Sequence, residues 1–207
     1  RALSMSRNNI KIGVILQGAE TPFMKEVLKG IQEACAEVDN LGGTVLVHKI
    51  EHQNAEDVIL AMEKMRMEEV RGIAMVPLDE ERVKREIDRF VEEFRIPVVT
   101  FTSDVEDTKR LCFVGQNGVQ CGRAAAGLMG ELTGGKGKVV VISGYSTNTS
   151  LSSRVVGFRE EIARKYPGIE IIGPEYCFEE NGRAREITEG IFKDVPDLDG
   201  IYLTSHG

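Results

Sequence analysis

Long apolar runs are missing from this chain, and so is any segment built like a secretory signal. Nothing in it reads as a transmembrane helix, and no membrane partner is expected. A basic excess is missing too. With 26 Lys and Arg against 33 Asp and Glu the formal net charge is -7, which argues against a basic face for nucleic acid. The four cysteines, Cys35, Cys112, Cys121 and Cys177, form no C-x-x-C pair and no zinc-type spacing. They are expected as reduced, buried thiols in a cytosolic protein. His48, His52 and His206 are too scattered to share a metal.

Catalytic signatures are equally scarce. No G-x-G-x-x-G follows the first apolar run, and none of the serines at 143, 146, 150, 152 and 153 sits in a G-x-S-x-G elbow. Gly130-Glu131-Leu132-Thr133-Gly134-Gly135-Lys136 has the glycine and lysine spacing of a P-loop. Yet Gly137 stands where Ser or Thr would bind magnesium, and the segment leaves a predicted helix for a predicted strand. That order is the reverse of a phosphate cradle, so the segment reads as a helix-ending loop. No cofactor, metal or catalytic residue is expected, and no enzyme.

What the chain does have is an α/β pattern, with 42% hydrophobic residues to fill a core. The apolar run 12–16 reads as a buried strand. Thr21 then suits an N-cap and Pro22 the first helical position. Phe23, Val27, Gly30, Ile31, Ala34 and Val38 recur at helical spacing. Gly30 is costly inside a helix, and close helix–sheet packing would explain it. Strands are expected at 44–50, 72–76 and 96–101, and helices at 54–69 and 80–94. Val58, Ile59, Met62 and Met65 form an apolar face in the first of these helices, a core stripe rather than a cofactor box. A polar segment, 102–109, precedes a new strand at 111–114. From there a helix capped by Asn117, strands at 138–143, 169–178 and 200–203, and helices at 151–166 and 182–192 repeat the same build. Strands joined by helices must be mostly parallel, with right-handed crossovers.

The expected fold is therefore two doubly wound, flavodoxin-like parallel-sheet lobes with a ligand cleft between them. Residues 1–10 read as a linker, 11–103 as the first lobe and 104–207 as an incomplete second lobe, its C-terminal part truncated. In such sheets ligands lie outside the carboxyl ends of the strands. Polar residues expected there are Gln17, Asp79, Thr102, Ser103, Asp104, Asn148 and Ser205, with Phe23 at the mouth of the first helix and Arg154 near the start of a second-lobe helix. An aromatic face with amide and fork-like hydrogen-bonders suits a polyhydroxylated ligand.

Several stretches together resemble the effector-binding core of LacI-type transcriptional regulators, which is similar in fold to ribose-type periplasmic binding proteins. They are Lys11-Ile12-Gly13-Val14-Ile15, Pro22-Phe23 with Gly30, Gly72-Ile73 before Val76-Pro77-Leu78-Asp79, Ile96-Pro97-Val98-Val99, Phe113-Val114-Gly115-Gln116-Asn117 with Gly122-Arg123, Gly135-Lys136-Gly137-Lys138-Val139, and Arg154-Val155-Val156-Gly157-Phe158. Arg1-Ala2-Leu3 resembles the end of the hinge that closes the DNA-binding region. The resemblance implies ligand contacts at Gln17, Phe23, Thr102, Ser103, Arg154, Phe178 and Ser205, with Arg154 gripping sugar hydroxyls in a bidentate way. It implies a small-molecule effector (a mono- or oligosaccharide or derivative), a cytoplasmic homodimer, and operator DNA bound through a domain outside this chain. The substrate-binding protein of a sugar ABC importer is the alternative, and a small α/β enzyme the third reading.

Overall fold

The computed structural model describes residues 9–18 and 20–205. The Arg1-Ala2-Leu3 segment, nearly all of the expected linker, and His206 lie outside the described residues. The chain divides into two compact units, Arg1–Val114 and Gly115–Gly207.

In the first unit, β1 (Lys11–Gln17), β2 (Thr44–Ile50), β3 (Ile73–Met75), β4 (Val98–Phe101) and β5 (Cys112–Val114) form one sheet in the order β2-β1-β3-β4-β5. Every pairing is parallel. The crossovers include α1 (Pro22–Asn40), α2 (Ala55–Met67) and α3 (Glu81–Glu92). Successive residues of a strand face opposite sides, and β1 is apolar on both. Ile15 joins Val58, Met62, Met65, Ile87 and Phe90 in one core, whereas Val14 and Leu16 join Met24, Val27 and Ile31 in the other. Two buried faces explain the unbroken apolar run. The methionine stripe is core, as its spacing predicts. Thr21 caps α1 by accepting from Met24 N at 3.3 Å, and Asn54 caps α2 by accepting from Asp57 N at 2.8 Å.

The boundary expected at Ser103/Asp104 falls inside this first unit. Strand β5 pairs with β4, and the polar segment before it is packed rather than loose. Val105 is fully buried, and Arg110 grips Asp104 through Nε and Nη2, both at 2.5 Å. Gly30 also departs from expectation. It lies on the exposed face of α1, and a Cβ built on it meets no atom within 4 Å. Close packing does not explain this glycine, so only its helix-weakening entropy remains. Gly30→Ala should raise stability by about 0.5–1 kcal/mol, read as a higher urea midpoint at unchanged slope.

In the second unit, β6 (Lys136–Ser143) lies between β7 (Gly168–Tyr176) and β8 (Leu198–Leu203), again all parallel. The helices α4 (Gly118–Leu132) and α5 (Thr149–Lys165) share one core with Val139 and Val141. The opposite face, with Val140 and Ile142, packs against Ala184, Ile187 and Ile191 of α6 (Asn181–Asp194). Strand β7 runs through Gly173-Pro174 without interruption, and its register against β6 shifts between Val140 and Ile142. The P-loop-like segment is the end of α4 and the entry to β6, with Gly135 N bonded back to Gly130 O at 2.8 Å.

Candidate functional site

The carboxyl ends of the strands carry most of the polar groups singled out above, and each unit supplies its own set. In the first unit, Gln17 closes β1 and is only 5% exposed. Its Nε2 donates to Val76 O at 2.6 Å, tying the end of β1 to the exit of β3. Its Oε1 is buried and accepts nothing among the described residues. Gln17 is therefore first a clamp between two strand ends. Phe23 sits in the first turn of α1 and is 50% exposed, while its neighbour Met24 is buried. The helix phase turns Met24 into the core and leaves the Phe23 ring available.

Thr102 follows β4 with φ +59. For a β-branched residue that is an unfavourable backbone state, of the kind that clusters at functional turns. Ser103 is buried just beyond it. Asp104 has both carboxylate oxygens engaged, by Arg110 and by Thr100 Oγ1 at 2.7 Å. Burial alone would raise its pKa, but the hydrogen bonds from Arg110 and Thr100 outweigh it and hold the carboxyl below its ordinary value. Asp104 thus holds the β4–β5 turn closed. Asp79 is paired with Lys84 at 2.7 Å.

In the second unit, β6 ends at Ser143, whose Oγ accepts from Thr204 Oγ1 at 2.8 Å beyond β8. The Thr204 carbonyl in turn accepts from Arg154 Nη1 at 2.7 Å, and Gln116 Oε1 accepts from Nη2 at 3.2 Å. Arg154 lies in the second turn of α5, and helical side chains lean toward the N-terminus. Its guanidinium is thereby brought back over the opening of the helix. Asn148 is the N-cap of α5, accepting from Ser150 N at 3.0 Å. The helix starts at Thr149 rather than near Leu151 because that cap begins it earlier.

Phe178 leaves β7 with φ +55, followed by Glu179 at +59, and its ring is 46% exposed. It lies against Tyr145, with ring centroids 5.5 Å apart and planes tilted by 59°. Tyr145, absent from the sequence-based set, stands two residues past β6 as Phe178 stands two past β7. Burial first, then the carboxylates of Glu180 and Glu179, raise the Tyr145 pKa, so the phenol stays protonated. Ser205 follows β8 and is partly exposed. Gln116, Thr204 and Tyr145 are the residues that sequence reasoning did not single out. Among the described residues no group of three or more His, Cys, Asp and Glu could hold a metal ion, and no helix is long and apolar enough to cross a membrane.

These strand-end sets can be placed beside known proteins. Among solved structures, an ABC transporter solute-binding protein from Burkholderia graminis C4D1M, in complex with D-arabinose, is 26% identical with a TM-score of 0.87, over 95% of this chain and 66% of its own. GanP, a glucose-galactose binding protein from Geobacillus stearothermophilus, is 25% identical with a TM-score of 0.83, over 94% of this chain and 68% of its own. A sugar-binding protein of a sugar ABC transporter from Bacillus halodurans is 26% identical with a TM-score of 0.75, over 95% and 66%. This chain spans about two thirds of the length of each. No curated protein matches it. These neighbours side with the importer alternative. The LacI-type regulator, with its homodimer, operator DNA and cytoplasmic location, draws no support from them. A periplasmic binding protein domain matches residues 12–207, which is nearly the whole described chain. With that match and two doubly wound parallel units, the chain belongs to the periplasmic binding protein family.

Proposed function

We propose that this protein binds a small carbohydrate, as the solute-binding component of an ABC-type sugar importer. The observation that carries the reading is the pairing, at strand carboxyl ends in each unit, of a half-exposed aromatic ring with held polar groups. Phe23 is accompanied by Gln17 and Thr102 in the first unit, and Phe178 by Tyr145, Arg154 and Ser205 in the second. Sugar C–H faces stack on such rings while hydroxyls are read by amide and guanidinium groups. The family match supports it, as do neighbours whose named ligands are D-arabinose, glucose and galactose. No chemistry is asked of the site, only recognition.

Calorimetric titration with arabinose, glucose, galactose, their uronic acids and their phosphates tests the reading. Binding of at least one is expected, and Phe23→Ala should weaken it by about 1 kcal/mol or more through lost stacking. Absence of binding by every carbohydrate would end this assignment. An unchanged affinity in Phe23→Ala would return Phe23 to the part of a surface residue at a helix start.

A further inference from the structure

Helix α3 turns four side chains inward, Val83, Glu86, Ile87 and Phe90, and one of the four is an acid. Glu86 is buried at a spacing that calls for an apolar residue. Acids are seldom buried unless they are paired, and the pairing here is short of cation. Arg89 Nη2 donates to Glu86 Oε1 at 2.7 Å, and the same nitrogen donates to Glu63 Oε1 of α2. Two carboxylates that share one nitrogen stand only a few ångströms apart, so their charges repel.

The second cation of α2 is committed elsewhere. Arg66 donates from Nε at 2.9 Å and lies through Nη2 at 2.8 Å, both times to Glu63 Oε2. Both guanidiniums also sit over the Phe94 ring, 4.7 Å and 4.9 Å from its centroid, which restrains them further. On this face of the sheet β1, β3 and β4 contribute Ile15, Ile73, Met75 and Val98, all apolar. Asp88 and Glu92 of α3 serve Lys109. Glu63 therefore has two cations, and Glu86 has a share of one. Burial alone would raise the Glu63 carboxyl, but Arg66 and Arg89 outweigh it and hold it below its ordinary value. At Glu86 burial outweighs the single hydrogen bond from Arg89 and, with the Glu63 carboxylate beside it, holds the carboxyl above its ordinary value. A proton reaching the pair goes to Glu86.

We propose that Glu63, Glu86 and Arg89 form a proton-operated latch between α2 and α3, loosened when both carboxylates are ionised and drawn tight when Glu86 takes a proton from solvent and donates it to Glu63. The latch makes the first unit firmer in mild acid than at neutral pH. Linkage sets the direction. Glu86 holds its proton more tightly in the folded chain, so it contributes stability in acid that is lost as pH rises through its raised titration. Glu63 holds its proton less tightly in the folded chain, so its contribution is present above the ordinary glutamate value and is lost as pH falls through its depressed titration. Both contributions are present together around the ordinary glutamate value.

The experiment is urea unfolding of the whole chain, as wild type, Glu86→Gln and Glu63→Gln, between about pH 8 and about pH 5. Amide signals of β3 and α3 read the first unit, and those of β6 read the second as a control. Glutamine has the shape of a protonated glutamate and its amide can donate to Glu63, so Glu86→Gln is the latch held tight. It should raise the midpoint of the first unit at about pH 8, and its lead over wild type should shrink toward zero by about pH 5. Glu63→Gln takes from Arg66 and Arg89 the acid they share, and should lower that midpoint across the range. The carboxyl carbon signal of Glu86, identified by its loss in Glu86→Gln, should titrate above the ordinary glutamate value. A Glu86→Gln midpoint at or below wild type at about pH 8 overturns the latch and makes Glu86 an ordinary ion-pair partner. A lead that does not change with pH, or a Glu86 signal that titrates at or below the ordinary value, overturns it equally. A midpoint shift as large at β6 as at α3 overturns its assignment to the first unit.

Discussion

Phe158→Ala is expected to destabilise the second unit by about 3–5 kcal/mol, the cost of emptying a full aromatic site in a packed core. Phe158 is fully buried and stacks on Tyr202 with centroids 4.4 Å apart and planes 19° from parallel. It packs among Val139, Val141, Ile162 and Ile169. A unit of this size has a single small core on that face of its sheet, and domains are stable by only about 5–15 kcal/mol in total. The loss should therefore unfold the second unit at a much lower urea concentration. Hydrogen exchange reads which part opens, and the amides of β1 and β3 in the first unit should keep their protection. The location of Phe158 gives the substitution a second consequence. Phe158 follows Arg154 by one helical turn, and Tyr202 precedes Thr204 by two residues in the chain. The ring pair thus fixes α5 against β8, the two segments joined by the Arg154–Thr204 hydrogen bond. At temperatures where the variant remains folded, ligand affinity should fall as well. A loss below about 1 kcal/mol would mean that the site collapses around the gap and that this stack is not what holds the two elements.

How much of this could be read from the chain depended on the range of each interaction. Thr21 and Asn117 were legible as caps because each bonds a backbone amide three residues on, and short polar residues before apolar periodicity have that meaning wherever they occur. The double apolar face of β1 was legible for the same reason. The unit boundary was not. Residues 102–109 are polar and turn-like in sequence, but Val105 enters the core and Asp104 finds Arg110 across a turn that only the fold closes. Asn148 reads from the sequence as a strand-end polar group, whereas its role as N-cap of α5, accepting from Ser150 N, emerges only with the helix start in place. Arg154 and Phe178 could be named by resemblance. Gln116, Thr204 and Tyr145 could not, because they matter only where separate strand ends meet. Glycines show the same limit. A glycine inside a helical pattern reveals that something is unusual, but not which face it occupies. Gly30 faces open space, whereas Gly122 and Gly157 lie where two helices cross.

That crossing sets the other large effect. A Cβ at position 122 would stand 2.0 Å from the Arg154 carbonyl oxygen and 2.7 Å from Phe158 N, and one at 157 would stand 2.0 Å from the Val119 carbonyl oxygen. These obstacles are backbone, so no rotamer change relieves them, and α4 and α5 must move apart. Overpacking of this kind costs about 1–3 kcal/mol and sometimes more, and Gly122→Ala should fall at or above the top of that range. The gain in helix propensity, up to about 1 kcal/mol, is too small to offset it. Gly30→Ala supplies the control, since the same atom is added to a helix of the same protein and the expected sign is opposite. The first obstacle at 122 is the carbonyl of Arg154 itself, so separating the helices displaces a residue of the candidate site. Gly122→Ala should thus lower the urea midpoint and weaken ligand binding together, whereas Gly30→Ala should raise the midpoint and leave binding unchanged. If both alanines proved equally mild, the backbone-to-backbone contact of α4 and α5 could not be what positions Arg154.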